Sequence, residues 1–194
     1  MKRIVDILGA IFALVLFGLP MLVVAILIKI LDPGPVFFRQ ARLGQNGTPF
    51  RIFKFRSMKV NAPDIRIADG SAFSGEDDPR VTKLGKFIRK TSVDELPQFI
   101  NVLFGQMSLV GPRPDQVDQI QYYTEEEKKK LLVKPGITGL AQISGRNSIS
   151  WEQRKELDVK YAQNHSVLGD LGIMARTIPY VLLRRDVNTE MTKQ

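Results

Sequence analysis

An uncharged, almost wholly apolar run extends from Ile7 to Ile28, with Lys2 and Arg3 before it and Lys29 closing it. About 22 such residues are long enough to cross the hydrocarbon layer of a bilayer as one helix. A cleavable leader fits less well, because the run exceeds the usual apolar core of a signal peptide and no small-x-small cleavage site follows it. Asp32-Pro33-Gly34-Pro35 instead reads as a stop and turn.

Two features complicate a simple crossing. Pro20 falls near the middle of the run, where it cannot donate to the carbonyl of Leu16 and crowds it. Both flanks are also positive: Lys2 and Arg3 on one side, and Lys29, Arg39, Arg42, Arg51, Lys54 and Arg56 on the other. Lysine and arginine favour the cytoplasmic side, so both ends ask for the same face. A re-entrant hairpin broken at Pro20 satisfies both, each half being about 12–15 residues and too short to cross alone. Its cost is the Leu16 carbonyl, which needs a partner in lipid. From the residues alone, the re-entrant and spanning arrangements both remain open.

Beyond the run, roughly 160 residues remain, enough for one domain with its own core. The natural division is residues 1–31 as a membrane helix and 32–194 as a polar domain with amphipathic helices. The chain has no cysteine, which excludes disulfides and thiolate metal sites. Its single histidine, His165, lies in Gln163-Asn164-His165-Ser166 and reads as a solvated helix end, so multi-histidine metal centres and histidine-based triads are disfavoured. A metal, if used, would be a hard cation such as Mg²⁺ on carboxylates and phosphates. The formal net charge is +8, compatible with nucleic acid, an anionic membrane or phosphorylated substrates. The basic residues are scattered among acids rather than gathered in one arm, which argues against nucleic acid.

The polar part is α+β and helix-dominated. Residues 36–40 and 50–56 alternate apolar and polar side chains around a turn-rich 43–48 segment, which predicts a β-hairpin. Residues 61–80 form a long acidic loop (Asp64, Asp69, Glu76, Asp77, Asp78) without calcium-loop spacing, read as solvated. Helices are predicted over 82–90, 95–104, 150–164 with Ser150 as cap, and 168–185. The last carries an apolar stripe (Leu171, Met174, Ile178, Val181, Leu182) and cations Arg176, Arg184 and Arg185. Such a stripe suits a membrane surface and a core contact equally well. Residues 111–114 and 134–139 are rigid Pro-Gly segments.

Thr91-Ser92-Val93-Asp94-Glu95-Leu96-Pro97 carries the chemistry. Ser92-x-x-Glu95 fits a capping box, and acids in a first turn suit a helix dipole. Pro97 disturbs that register, because with Ser92 as cap its ring would meet the Val93 carbonyl, whereas with Asp94 as cap it falls in the first turn. On spacing alone, capping is the stronger explanation. A carboxylate at a helix start can also attack phosphorus, provided that cations hold the charges together. Lys54, Arg56, Arg89, Lys90, Arg113 and Arg146 are available, and Mg²⁺ on Asp94 and Glu95 would serve the same end.

Four motifs taken in order resemble one family: Asp94-Glu95-Leu96-Pro97-Gln98, the 101–114 segment ending Gly111-Pro112-Arg113-Pro114, the 134–142 segment ending Ala141-Gln142, and Gly145-Arg146-Asn147. They resemble the bacterial sugar transferases, the monotopic phosphoglycosyl transferases that begin glycan and polysaccharide assembly. The likeness runs from Lys2-Arg3-x-x-Asp6 to about Arg185. It implies a re-entrant helix broken at Pro20, with both ends cytoplasmic, at the inner membrane. It implies Asp94 as nucleophile and Glu95 as its partner in metal or proton handling. Asp94 would take a phosphosugar from a UDP-sugar, release UMP and pass the group to undecaprenyl phosphate with Mg²⁺ assisting; downstream glycosyltransferases would meet the product. Lys54 and Arg56 match the family's Lys-Phe-Arg-Ser-Met stretch, Arg89 lies beside the acidic motif, and Arg113 and Arg146 match arginines expected near the nucleotide and phosphates. Lys134 stands where many relatives have arginine, and residues 165–170 lack the tryptophans often found there. The resemblance is to the family's small, minimal form, without an added N-terminal membrane domain. The competing reading is a non-catalytic membrane-attached scaffold in which Asp94-Glu95 only caps a helix.

Overall fold

The computed structural model describes residues 1–65, 78–145 and 148–182. Helix α1, Lys2–Leu31, runs without interruption through Pro20. The predicted break is therefore not a break in the helix. Proline costs a helix one hydrogen bond and some crowding but not its φ, and the apolar residues on either side offer the backbone no better partner than the helix itself. Among the described residues, α1 is the one helix long and apolar enough to cross a membrane.

Burial along α1 is confined to its ends. Asp6, Ala10 and Ala13 are buried near the start and Val24 and Ile28 near the finish, with Val15, Leu16, Phe17, Leu19, Leu22 and Val23 exposed between them. Polar contacts fasten the first turns. The Lys2 ammonium donates to the Val110 carbonyl at 3.0 Å and pairs with Asp170 at 2.5 Å. Arg3 donates to the carbonyls of Val102 and Leu103 at 2.6 and 2.9 Å. Asp6, buried within an apolar helix, accepts from the Ser108 hydroxyl at 2.8 Å and the Leu109 N–H at 2.9 Å. Each is a charged group whose burial is offset by a charge-assisted hydrogen bond.

Strands β1 (Phe37–Leu43) and β2 (Pro49–Phe55) form the expected antiparallel hairpin, with Phe37 opposite Phe55 and Leu43 opposite Pro49. Both faces of β2 are used. Phe50 and Ile52 join Ala10, Val102, Met107, Leu109, Val110 and Tyr161 in one cluster. Phe55 joins Val24, Ile28 and Ile88 in another. The two ends of α1 thus belong to two different cores, each shared with the polar part of the chain.

Helix α2 (Lys83–Lys90) is capped by the Thr82 side chain, which accepts from the Gly85 N–H at 2.8 Å. A 3-10 turn, Val93–Glu95, follows, and α3 spans only Gln98–Leu103. Strands β3 (Ser108–Val110) and β4 (Gly136–Thr138) pair in parallel beyond it. Their closeness explains two motif glycines: a Cβ on Gly136 would collide with the backbone nitrogen of Gly111. Helix α4 (Leu140–Ile143) precedes α5 (Trp151–Asn164), which Ser150 caps as expected, with Gln153 completing the box. Helix α6 (Val167–Leu182) continues through Pro179, and Arg184 and Arg185 lie outside the described residues. Its apolar side chains divide. Ile173 and Met174 pack on the first core cluster, while Leu168, Leu171 and Ile178 face outward. His165 is exposed at the end of α5, as predicted.

A buried ionic cluster supports the segment after β3. Lys130 lies 2.9 Å from Asp115 and 2.6 Å from Asp158 of α5, and the Tyr123 hydroxyl donates to Asp115. The Arg113 backbone N–H faces the Asp158 carboxylate. Burial pushes Asp158 up to about 6, with Lys130 opposing. Burial also works against ionised Asp115, but the Lys130 charge and the Tyr123 hydrogen bond outweigh it and hold that group below the ordinary range. In the acidic loop, Asp78 is buried against Arg80 at 2.6 Å, while Asp69, Glu76 and Asp77 lie outside the described residues.

Candidate active site

The turn that carries Asp94 is set by Ser92, whose φ of 57° places it in the left-handed region. The chain reverses there, and the 3-10 turn behind it leaves Asp94 buried, with its side chain 10% exposed. Lys54 Nζ stands 3.5 Å from Asp94 Oδ2 and 2.9 Å from Glu95 Oε1. Arg113 Nη2 reaches the same Glu95 oxygen at 3.1 Å. Neither expected cap is made. The Ser92 side chain forms no cap hydrogen bond, and α3 begins beyond Pro97 without a side-chain cap. The acidic pair is turned toward cations rather than toward the start of a helix.

Each cation is placed by a different element. Lys54 follows Phe50 and Ile52 on the inward face of β2, so strand alternation points its ammonium into the molecule. The fully buried Asn101 of α3 pins that strand: it donates to the Arg51 carbonyl at 2.9 Å and accepts from the Phe53 N–H at 2.8 Å. Arg89, near the end of α2, donates from Nε to the Ser57 hydroxyl at 2.8 Å and is attracted by Asp94. Arg113 sits on the Pro-Arg-Pro segment above the Lys130 cluster, with its side chain 40% exposed and therefore within reach of a ligand.

The electrostatics divide the two carboxylates. Burial raises the Asp94 pKa above the ordinary aspartate value; the Glu95 charge adds to this, while Lys54 and Arg89 oppose it. The charge of Glu95 raises the Arg113 pKa. Asp94 is thus a buried, poorly solvated carboxylate, and Glu95 is the charge that holds Lys54 and Arg113 together. Among the described residues no three His, Asp or Glu side chains gather as a metal cluster. Two neighbouring carboxylates still fit Mg²⁺, which takes one or two protein carboxylates and completes its shell with water and substrate phosphate.

Five predicted site residues converge here: Lys54, Arg89, Asp94, Glu95 and Arg113. Arg56 does not join them. It is buried and pairs with Asp32 at 3.4 Å, donating also to the Asp32 carbonyl, so it clasps the turn after α1. Strand β2 ends at Phe55, and the alternation that aims Lys54 inward no longer governs Arg56. Arg146 lies outside the described residues. Sequence reasoning missed Asn101 as a positioning group and Arg42 as a neighbour of Arg113. Asn101 stands inside a quoted motif, but nothing local shows that its amide bonds a strand fifty residues earlier.

A buried carboxylate thus stands among lysine and arginine, in a fold that shares its core with a long apolar helix. The chain belongs to the bacterial sugar transferase family, whose model matches residues 1–184. It is 49% identical over 190 residues to the galactosyl transferase CpsE of Streptococcus agalactiae, covering 94% of this chain and 42% of that protein. It is 45% identical over 187 residues to the uncharacterized sugar transferase EpsL of Bacillus subtilis, covering 96% of this chain and 90% of that protein. It is also 44% identical over 186 residues to the UDP-glucose:undecaprenyl-phosphate glucose-1-phosphate transferase of Escherichia coli, covering 92% and 39%. The chain thus spans less than half of two of these relatives and most of the third.

Proposed function

We propose that this protein transfers a phosphosugar from a UDP-sugar to undecaprenyl phosphate, in two displacements through a covalent aspartyl intermediate. The observation that carries the reading is Asp94, buried and facing Lys54 instead of capping α3. In the first displacement an Asp94 oxygen attacks the sugar-bearing phosphorus. The bond to the bridging oxygen breaks, and its electron pair leaves on UMP. In the second, an oxygen of the carrier phosphate attacks the same phosphorus and the Asp94 carboxylate is released. Two anionic substrates then use one cationic site in turn. Lys54, Arg89 and Arg113 hold the phosphate oxygens and offset their charge against Asp94. Mg²⁺ held by Asp94 and Glu95 would polarise a phosphate oxygen. The name of the Escherichia coli relative supports the donor and acceptor classes.

The test is exchange of labelled UMP into UDP-sugar with no lipid acceptor present, together with intact-mass detection of a sugar-phosphate adduct. Only a two-step route exchanges UMP under those conditions. Because the nucleophile must be ionised and burial raises its pKa, protonation removes it as pH falls. The acid limb of the kcat/KM profile is therefore expected above the 3.8 of an unperturbed aspartate. A protein that forms no adduct and exchanges no UMP would refute the mechanism.

The same reading puts the catalytic part on the cytosolic face of a bacterial inner membrane, with both ends of α1 held on that side. The support is its pattern of contacts: both ends are packed on the polar domain, and the exposed apolar middle surrounds Pro20. The natural sequence has no cysteine, so single-cysteine labelling is unambiguous. An N-terminal cysteine tag and Pro33→Cys are both expected to react from the cytosolic side only. Reaction of the tag from the opposite side would show a spanning helix.

A further inference from the structure

Arg42, near the end of β1, enters neither the motifs nor the mechanism above. Its neighbours set it beside the active centre. The Arg42 backbone bridges to Gln116, and the following Leu43 N–H donates to the Asp115 carbonyl at 2.9 Å. The hairpin end is thereby stitched to the segment that presents Arg113. The Arg42 guanidinium is itself held in place: Nη2 donates to Gln40 Oε1 at 2.6 Å and Nη1 to the Pro114 carbonyl at 3.3 Å. Its Nε is buried with no hydrogen-bond partner.

Arg42 therefore lies against the segment that carries Arg113. Burial and the like charge of Arg113 lower the Arg42 pKa to about 10, against the pull of Asp115, Glu95 and Asp118. A fold that orients a guanidinium with neutral acceptors, next to the segment that carries a second arginine, supplies positive charge suited to a polyanion. A lone structural arginine would more simply pair with one carboxylate. The order of the groups is also informative. Arg113 touches Glu95 directly, whereas Arg42 touches Pro114, one residue farther along the chain.

Resting on the transfer reading, we propose that Arg42 binds the phosphate that departs with the nucleotide, while Arg113 and Lys54 bind the phosphate that Asp94 attacks. Arg42 then belongs to the donor half-reaction alone. It grips the diphosphate before cleavage and UMP afterwards, and the carrier phosphate never meets it.

The test measures KM for UDP-sugar, KM for undecaprenyl phosphate and UMP inhibition in the full-length, membrane-reconstituted protein. Arg42→Ala is expected to raise KM for UDP-sugar and the UMP inhibition constant by roughly 10–100-fold, leaving KM for the lipid phosphate within about twofold. Arg42→Lys keeps the charge but loses the fork, and is expected to fall between the two. A larger rise for the lipid phosphate than for UDP-sugar would assign Arg42 to the acceptor and overturn the proposal, as would two unchanged constants. If Arg42→Ala lowers the melting temperature enough to prevent assay, Gln40→Leu decides. It removes only the group that orients Nη2, so a several-fold rise confined to the nucleotide constants supports the proposal and no change overturns it. Failure of the unsubstituted protein to exchange UMP would instead remove the transfer reading itself.

Discussion

The Asp94→Asn substitution is expected to lower UMP exchange and overall transfer at least roughly a thousand-fold, because an amide oxygen cannot take over the covalent role of a carboxylate. Stability should move the other way or not at all. The surroundings of Asp94 disfavour its charged form, so a neutral side chain of the same shape removes an electrostatic cost instead of a support. A melting temperature equal to or above that of the unsubstituted protein, with exchange abolished and no adduct by intact mass, would separate chemistry from folding. Retention of more than a tenth of the turnover would remove Asp94 from the covalent role.

The Lys130→Ala substitution is expected to be the most damaging to stability, at about 3–5 kcal/mol. Lys130 is 3% exposed and is the cation between Asp115 and Asp158. Its removal leaves two carboxylates buried without their charge partner. The effect carries a pH signature. In the variant, both carboxylates would titrate above their unfolded values, so the folded state binds more protons than the unfolded state and gains stability as pH falls. The deficit, read by denaturation in detergent, should shrink from pH 7 toward pH 5. A deficit independent of pH would show that the loss is packing alone. The same substitution should weaken catalysis through Arg113, whose backbone N–H faces Asp158.

Much of the architecture was legible because its signals are local. Ser150 announces the helix that it caps, the spacing of Leu84, Phe87 and Ile88 announces another, and the alternation around Phe50 and Ile52 announces a strand. Asp94, Glu95, Lys54, Arg89 and Arg113 were also named from the sequence, through cation supply and family motifs. What the residues could not convey was mostly long-range. Strands β3 and β4 have three residues each, too few for a period, and are recognisable only by the glycines that let them approach. Lys130 sits in a Glu125–Lys130 charge run that resembles a solvated face, yet its ammonium is enclosed by groups from two distant segments. Arg56 shares the Lys-Phe-Arg-Ser-Met stretch with Lys54, but the strand ends between them. Asp94 looked like a cap because capping and catalysis ask for the same residue at the same helix end. The left-handed turn at Ser92, which keeps Asp94 from capping α3, is not legible in the residue types.

The placement of α1 also bears on protein engineering. Deleting the first thirty residues to obtain a water-soluble enzyme would strip Ala10 from one core cluster and Val24 and Ile28 from another, and take the clamps at Lys2, Arg3 and Asp6 with them. What remained would be an opened shell, not a trimmed catalyst. A foreign transmembrane segment would fare no better, since it would bring the wrong inner face. Solubility has to come from repainting: polar replacements at Val15, Leu16, Leu19, Leu22 and Val23, which touch no core, with the inner stripe left intact.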